Sequence, residues 1–187
     1  MIFTPGYDQC AVLDACALVP MALCDLLLRL AEEPAVYRPL WSEQILTEMT
    51  KALRTKLHRS SEQAAWRRRQ MMEAFPEAMV TTPSALLKAV ECIPDKDDRH
   101  VLAAAIVGHA STIITQNIRH FPKDCCEKYG LRCQTPDDFL IDLYRLSPQL
   151  VLNKLDDQAA GIAQSREFVV ASLKAAVPKF CKSVESH

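Results

Sequence analysis

The chain has 187 residues, 49% hydrophobic and 24% charged, with 22 basic against 23 acidic side chains and a formal net charge of −1. These totals describe one ordinary soluble domain, long enough to bury a core, and they exclude a global basic field, so a nucleic-acid partner would have to meet a local patch. Four glycines and no low-complexity tract exclude a linker-rich or disordered chain.

Taken in order, the N-terminus MIFTPGYDQ lacks a basic segment followed by an apolar core, so no signal peptide is expected. CAVLDA (10–15) is an apolar run closed by an acid and reads as a buried strand. It feeds a helix-period segment, Leu23, Leu26, Leu27 and Leu30, which Glu33-Pro34 stops. The stretch ALVPMALCDLLLRLA is broken by Pro20, Asp25 and Arg29 and falls short of the roughly 20 residues of a membrane span, so no membrane association is expected. AVYRPLW (35–41) holds a second short strand, and Ser42 caps a helix with apolar positions Ile45, Leu46, Met49, Leu53 and Leu57. SSEQAAWRRRQMMEAF (60–75) is a helix capped by Ser60 or Ser61, AMVTT (78–82) a strand, and PSALLKAVECI (83–93) a short helix.

PDKDDRHVLAAA (94–105) opens a helix expected from about Lys96 to His109, and STIITQ (111–116) is a β-branched strand. FPKDCCEKYG is a short helix ended by Gly130 at C′, LRCQ a last strand, and Thr135 caps DDFLIDLYRL with Asp138 in capping-box position. Beyond Ser147 the pattern is helical only. Strands alternating with helices predict an α/β fold, a parallel sheet flanked by helices over residues 1–135, with a helical C-terminal extension over 136–187 packed on it or held out for a partner. Eight cysteines lie in apolar segments without a secretion signal, so they are expected as small reduced core residues of a cytoplasmic protein. A structural zinc on His120, Cys125, Cys126 and Cys133 would lack a CxxC pair.

Asp95, Asp97 and Asp98 crowd one helix start, where a single acid would satisfy the free backbone NH groups. In an open α/β sheet the functional crevice lies at the carboxyl ends of the strands. Asp14 closes the first strand, Asn117 follows STIIT at the same edge, and Asp98 begins the helix leading into that strand. Glu48 flanks the buried stripe of its helix, between Ile45, Met49 and Ala52. Two carboxylates ~4 Å apart repel by about 4 kcal/mol at an effective dielectric near 20, which raised pKa values or a cation relieve. Oxygen ligands suit Mg²⁺ or Mn²⁺, which accept phosphate oxygens and can activate water.

LDACAL, SEQILTEMTKAL, PDKDDRHVLAAAI and STIITQNIRHFP, in this order, resemble the PIN-domain nucleases, most closely the VapC-like toxins of toxin–antitoxin systems, over residues 9 to 135. The resemblance implies a metal-dependent endoribonuclease cutting RNA, silenced by a cognate antitoxin and often dimeric. It makes Asp14, Glu48 and Asp98 the catalytic and metal-binding acids, with Asp97 or Asp95 as helpers. Asn117 stands where the family often has an acid, and Thr115 would orient a carboxylate or water. A phosphatase of the haloacid-dehalogenase type also begins with a strand ending in Asp, but it needs a second Asp where Cys16 stands. A non-catalytic RNA- or protein-binding member is the other alternative.

Simpler roles compete for several residues. Asp14 could merely terminate a strand, Glu48 could pair with Lys51 or Lys56, and Asp95 and Asp97 could be caps. Arg99, Arg119 and His120 flank the acids and could hold substrate phosphates, or Arg99 could pair with Asp95. Arg54, Lys56, His58, Arg59, Arg67, Arg68 and Arg69 form a basic stretch around Trp66. It suits RNA with a base stacked on the indole, or a solvated helix face with Trp66 in the core.

Overall fold

The computed structural model describes residues 9–186; the reading of the N-terminus falls largely on residues 1–8 and lies outside that range. Five parallel strands form the sheet: β1 (Cys10–Leu13), β2 (Arg38–Ser42), β3 (Met79–Val80), β4 (Thr112–Ile114) and β5 (Arg132–Gln134). Their order is β3-β2-β1-β4-β5. The chain therefore builds outward from β1 through β2 to β3, then returns to lay β4 on the other flank of β1. β1 is buried along its whole length, as its unbroken apolar run requires of a central parallel strand.

The helices are α1 (Ala15–Leu18), α2 (Met21–Ala31), α3 (Glu43–Lys56), α4 (Ser61–Ala74), α5 (Ser84–Ala89), α6 (Arg99–Val107) and α7 (Lys123–Lys128), followed by α8 (Pro136–Leu146), α9 (Pro148–Gly161), α10 (Arg166–Leu173) and α11 (Pro178–Glu185). Ser42 caps α3 by accepting from Ile45 N at 3.3 Å. Ser60 and Gln63 close a capping box on α4, and Thr135 caps α8 through Asp138 N at 3.1 Å. Gly130 follows α7 with φ +68°, where a side chain would be strained.

α6 packs across β1, β2 and β4. Ala103, Ala104 and Ala105 are fully buried, and Gly108 ends the helix where a Cβ would lie 2.6 Å from Leu40. One expectation changes here. The segment read as a single helix from Lys96 starts with a separate 3₁₀ turn, Lys96–Asp98, and the α-helix begins only at Arg99. Asp95 caps that turn by accepting from Asp97 N at 3.0 Å, so the three acids are not spaced along one continuous helix.

Helices α8 to α11 pack against α2, β5 and one another, and their buried side chains join those of the sheet in one apolar cluster. Lys154, almost fully buried, donates to Glu32 O at 3.1 Å and Glu33 O at 3.3 Å, tying α9 to the end of α2. Asp137 accepts from Phe180 N at 2.8 Å and Lys179 N at 3.1 Å and so caps α11. The cysteine expectation is corrected in part. Cys10, Cys24, Cys126 and Cys181 are buried thiols, but Cys92 and Cys125 form a disulfide joining the stretch after α5 to α7. Among the described residues, no helix is long and apolar enough to cross a membrane.

Candidate active site

The strand order reverses at β1, between β1 and β4, which is where open parallel sheets leave a crevice at their carboxyl edge. Asp14 follows β1 directly, its backbone N donating to Ile114 O at 3.0 Å, and Thr115 follows β4, its backbone N donating to Gln134 O at 3.0 Å. Ladder register thus sets the two side chains against each other. Thr115 Oγ1 donates to Asp14 Oδ2 at 2.6 Å, and the same oxygen accepts from Asn117 N at 3.0 Å. The Cys16 thiol donates to Asp14 Oδ2 at 3.0 Å and its sulfur accepts from Gln116 N at 3.2 Å. Burial, then the Asp14 charge, push the Cys16 thiol up to about 12, so it stays a protonated donor.

Asp14 is 5% exposed, and these bonds come only from neutral groups. Although it occupies the N-cap position of α1, its side chain makes no capping bond to a backbone NH of that helix. Asp98 stands at the N-cap position of α6 and also makes no capping bond. Its Oδ2 meets His120 Nδ1 at 2.7 Å instead. Burial pushes the Asp98 carboxyl above its ordinary value, the His120 contact pulls it back, and the charges of Asp95 and Asp14 push it up again.

Glu48 reaches the same place from α3. Its Oε1 lies 3.0 Å from Nε2 of His100, which is 2% exposed, off the line of a hydrogen bond, and it accepts from Gln44 Nε2 at 3.2 Å. Neither Lys51 nor Lys56 pairs with it, although both line the cleft. Asp14, Glu48, Asp98 and Asn117 together line one open cleft of about 390 Å³.

Other expected residues fall elsewhere. Asp97 is exposed and is not among the grouped ligands; Asp95, Asp98 and His120 are, with ligand atoms within 4.8 Å of one another. Arg99 pairs with neither Asp95 nor the cleft, since its Nε donates to Ile93 O at 3.1 Å. Arg119 is exposed, its Nε 3.4 Å from His120 Nε2. Trp66 is not in the core but 53% exposed. Cys125 is spent in the disulfide, so the four-residue zinc set is not assembled.

The donor set suits a hard divalent cation. A buried carboxylate held only by neutral donors carries uncompensated charge, and the neighbouring ligands are mainly oxygens.

Comparison with known proteins places the fold in a family. The family model of the PIN domain matches residues 8–119, more than half of the chain, and the match takes in Asp14, Glu48, Asp98, Thr115 and Asn117. The chain belongs to the PIN-domain family. Within that family, this PIN domain is similar to a Mycobacterium tuberculosis protein named "Putative ribonuclease VapC50", 36% identical over 86 residues. That alignment covers 44% of this chain and 51% of the relative, so the chain spans about half the length of the protein it matches. Sequence reasoning did not find Cys16 as a partner of Asp14 or His100 as a neighbour of Glu48. Their apolar surroundings carried no signal beyond their closeness in sequence to Asp14 and Asp98.

Proposed function

We propose that the protein is a metal-dependent endoribonuclease that hydrolyses RNA phosphodiesters, the toxin of a type II toxin–antitoxin pair held inactive by a cognate antitoxin and assembling as a homodimer. The observation that carries the reading is Asp14, a buried carboxylate at a helix N-cap that caps nothing and shares a cleft with Glu48 and Asp98. Asp14, Glu48 and Asp98 would hold Mg²⁺ or Mn²⁺, with the Asn117 amide as a neutral oxygen in place of a further acid. The cation, when bound, supplies charge neutralisation at the phosphodiester and activation of water.

The rest is done by the chain. Thr115 fixes the Asp14 carboxylate with a short hydrogen bond and is itself fixed by Asn117 N. The Cys16 thiol adds a second donor without adding charge. His120 holds Asp98 against the cleft. Arg119, exposed beside His120, would meet a substrate phosphate; Arg99, anchored on Ile93 O, supports the turn that carries Asp98.

The test is cleavage of single-stranded RNA by the purified protein in Mg²⁺ or Mn²⁺, beside Asp14→Asn and Asp98→Asn. Both variants are expected to lose about 100-fold or more, the scale of removing a group that holds developing charge. Equal cleavage by all three proteins removes the mechanism.

A further inference from the structure

Beside the acid cleft, the surface between α3 and α4 forms a second depression of about 600 Å³. Among the described residues its lining contains only hydroxyl and basic side chains, including Thr50, Lys51, Arg54, Thr55 and Arg59, with no acid and no apolar residue. A third, apolar depression of about 500 Å³ adjoins it through Arg59 and carries the exposed indole of Trp66. The three are continuous. Lys51 and Thr55 line both the acid cleft and the basic groove, and Val19 lines both the acid cleft and the Trp66 depression. Helix periodicity produces this. Glu48 faces the acids, and Lys51 and Thr55 follow at the i+3 and i+7 positions, so α3 passes from carboxylate to cation along one side.

Some of the basic side chains have local employment. Arg68 bonds Glu43, and Arg67 is buried with Nη1 on Val19 O at 3.0 Å. Arg54 and Lys56 sit in the last turn of α3, where cations offset the negative helix end. Lys51 and Arg59 have no such role. Both are exposed, and neither side chain makes a hydrogen bond or ion pair among the described residues.

We infer that the α3–α4 groove carries the backbone of single-stranded RNA away from the acid cleft, with Lys51, Arg54 and Arg59 on its phosphates and Trp66 stacking a base. This rests on the endoribonuclease reading and adds the substrate's path to it. Charge complementarity selects the occupant. A chain of net charge −1 concentrates cations and hydroxyls, without an acid, in one groove leading from the cleft, and a polyanion is what that lining neutralises. The exposed indole selects a single strand, since a base must leave its stack to lie on a side chain.

The experiment is binding of a fluorescein-labelled single-stranded RNA in EDTA, where no metal-dependent cleavage intervenes, across a salt series. Proteins compared are the wild type, the triple variant Lys51→Ala/Arg54→Ala/Arg59→Ala, Trp66→Ala and Trp66→Phe. Three lost phosphate contacts at about 0.7 each lower the slope of log Kd against log salt by about 2. Trp66→Ala weakens binding roughly tenfold, and Trp66→Phe restores most of it. RNA also quenches the wild-type tryptophan fluorescence; Trp41 is fully buried, so the change reports Trp66.

Unchanged Kd and slope in the triple variant and in Trp66→Ala overturn the inference, as they would if the groove serves a protein segment, and so does a wild type that binds no RNA. The two readings fail separately. Groove-dependent binding without cleavage sinks the enzyme and leaves the track, whereas cleavage with groove-independent binding does the reverse.

Discussion

If Asp14, Glu48 and Asp98 form a cation site, Mn²⁺ must stabilise the folded chain, and Asp14→Asn must abolish that stabilisation. A ligand that binds only the native state adds RT ln(1 + [L]/Kd), about 2.7 kcal/mol when free metal exceeds Kd a hundredfold. For a chain of 187 residues, each kcal/mol moves the melting temperature by roughly 2–4 °C, so the wild type should gain roughly 5–11 °C. A hundredfold loss of affinity leaves about 0.4 kcal/mol at the same metal concentration, a shift of roughly 1–2 °C. In EDTA the variant should melt no lower than the wild type. Asparagine still offers an oxygen to Thr115, whose bond to Asp14 is 2.6 Å, and a buried charge with only neutral partners has been removed. Differential scanning calorimetry at neutral pH, with EDTA or Mn²⁺, reads all four values. A variant that keeps the full metal shift refutes Asp14 as a ligand, and a wild type with no shift at millimolar Mn²⁺ refutes the site.

Two further substitutions probe its supports. Thr115→Val removes the hydrogen bond to the Asp14 carboxylate and the acceptor of Asn117 N; urea denaturation should show a loss of about 1.5–3 kcal/mol, with Thr115→Ser restoring it. Asp98 carries a carboxyl raised above its ordinary value by burial, so its contribution to stability is present in acid and lost as pH rises through the folded value. Asp98→Asn should therefore melt above the wild type at neutral pH in EDTA, with the gap closing towards pH 3; a gap that widens in acid would contradict the sign.

The order of strands and helices, and Asp14 at the end of β1, followed from patterns within single segments: an apolar run closed by an acid, a Ser before an amphipathic stretch, a Gly after a short helix. What escaped the sequence depends on pairing between segments. Cys16 donates to Asp14 because β4 brings Thr115 and Gln116 over both residues, and that register is set by the sheet. The 3₁₀ turn at 96–98 decides which acid faces the cleft. A continuous α-helix gives each of them a fixed 100° offset, but the turn sends Asp97 to solvent, Asp95 into a cap, and Asp98 to His120. The sequence left Trp66 open between the core and an exposed stacking surface; its helix buries Ala64, Arg67 and Met71 on the inner face, and Trp66 lies outside that stripe.

The strongest argument for function comes from bonds the fold leaves unmade. Ser42, Ser60, Thr135 and Ser165 each bond a backbone NH of the helix they begin, and Asp95 does so for its 3₁₀ turn, whereas Ser147 at the start of α9 makes no such bond. Asp14 and Asp98 occupy the same position, with a residue type suited to capping, and neither does so. A cap contributes about 1 kcal/mol, so these two acids forgo about 2 kcal/mol of a net stability that is typically 5–15 kcal/mol. Both also accept desolvation, and each lies in the other's repulsive field. Their side chains are turned instead toward the cleft lined by Glu48 and Asn117. The proposed cation would offset that cost at both helix starts at once, which is why the pattern supports the metal-site reading.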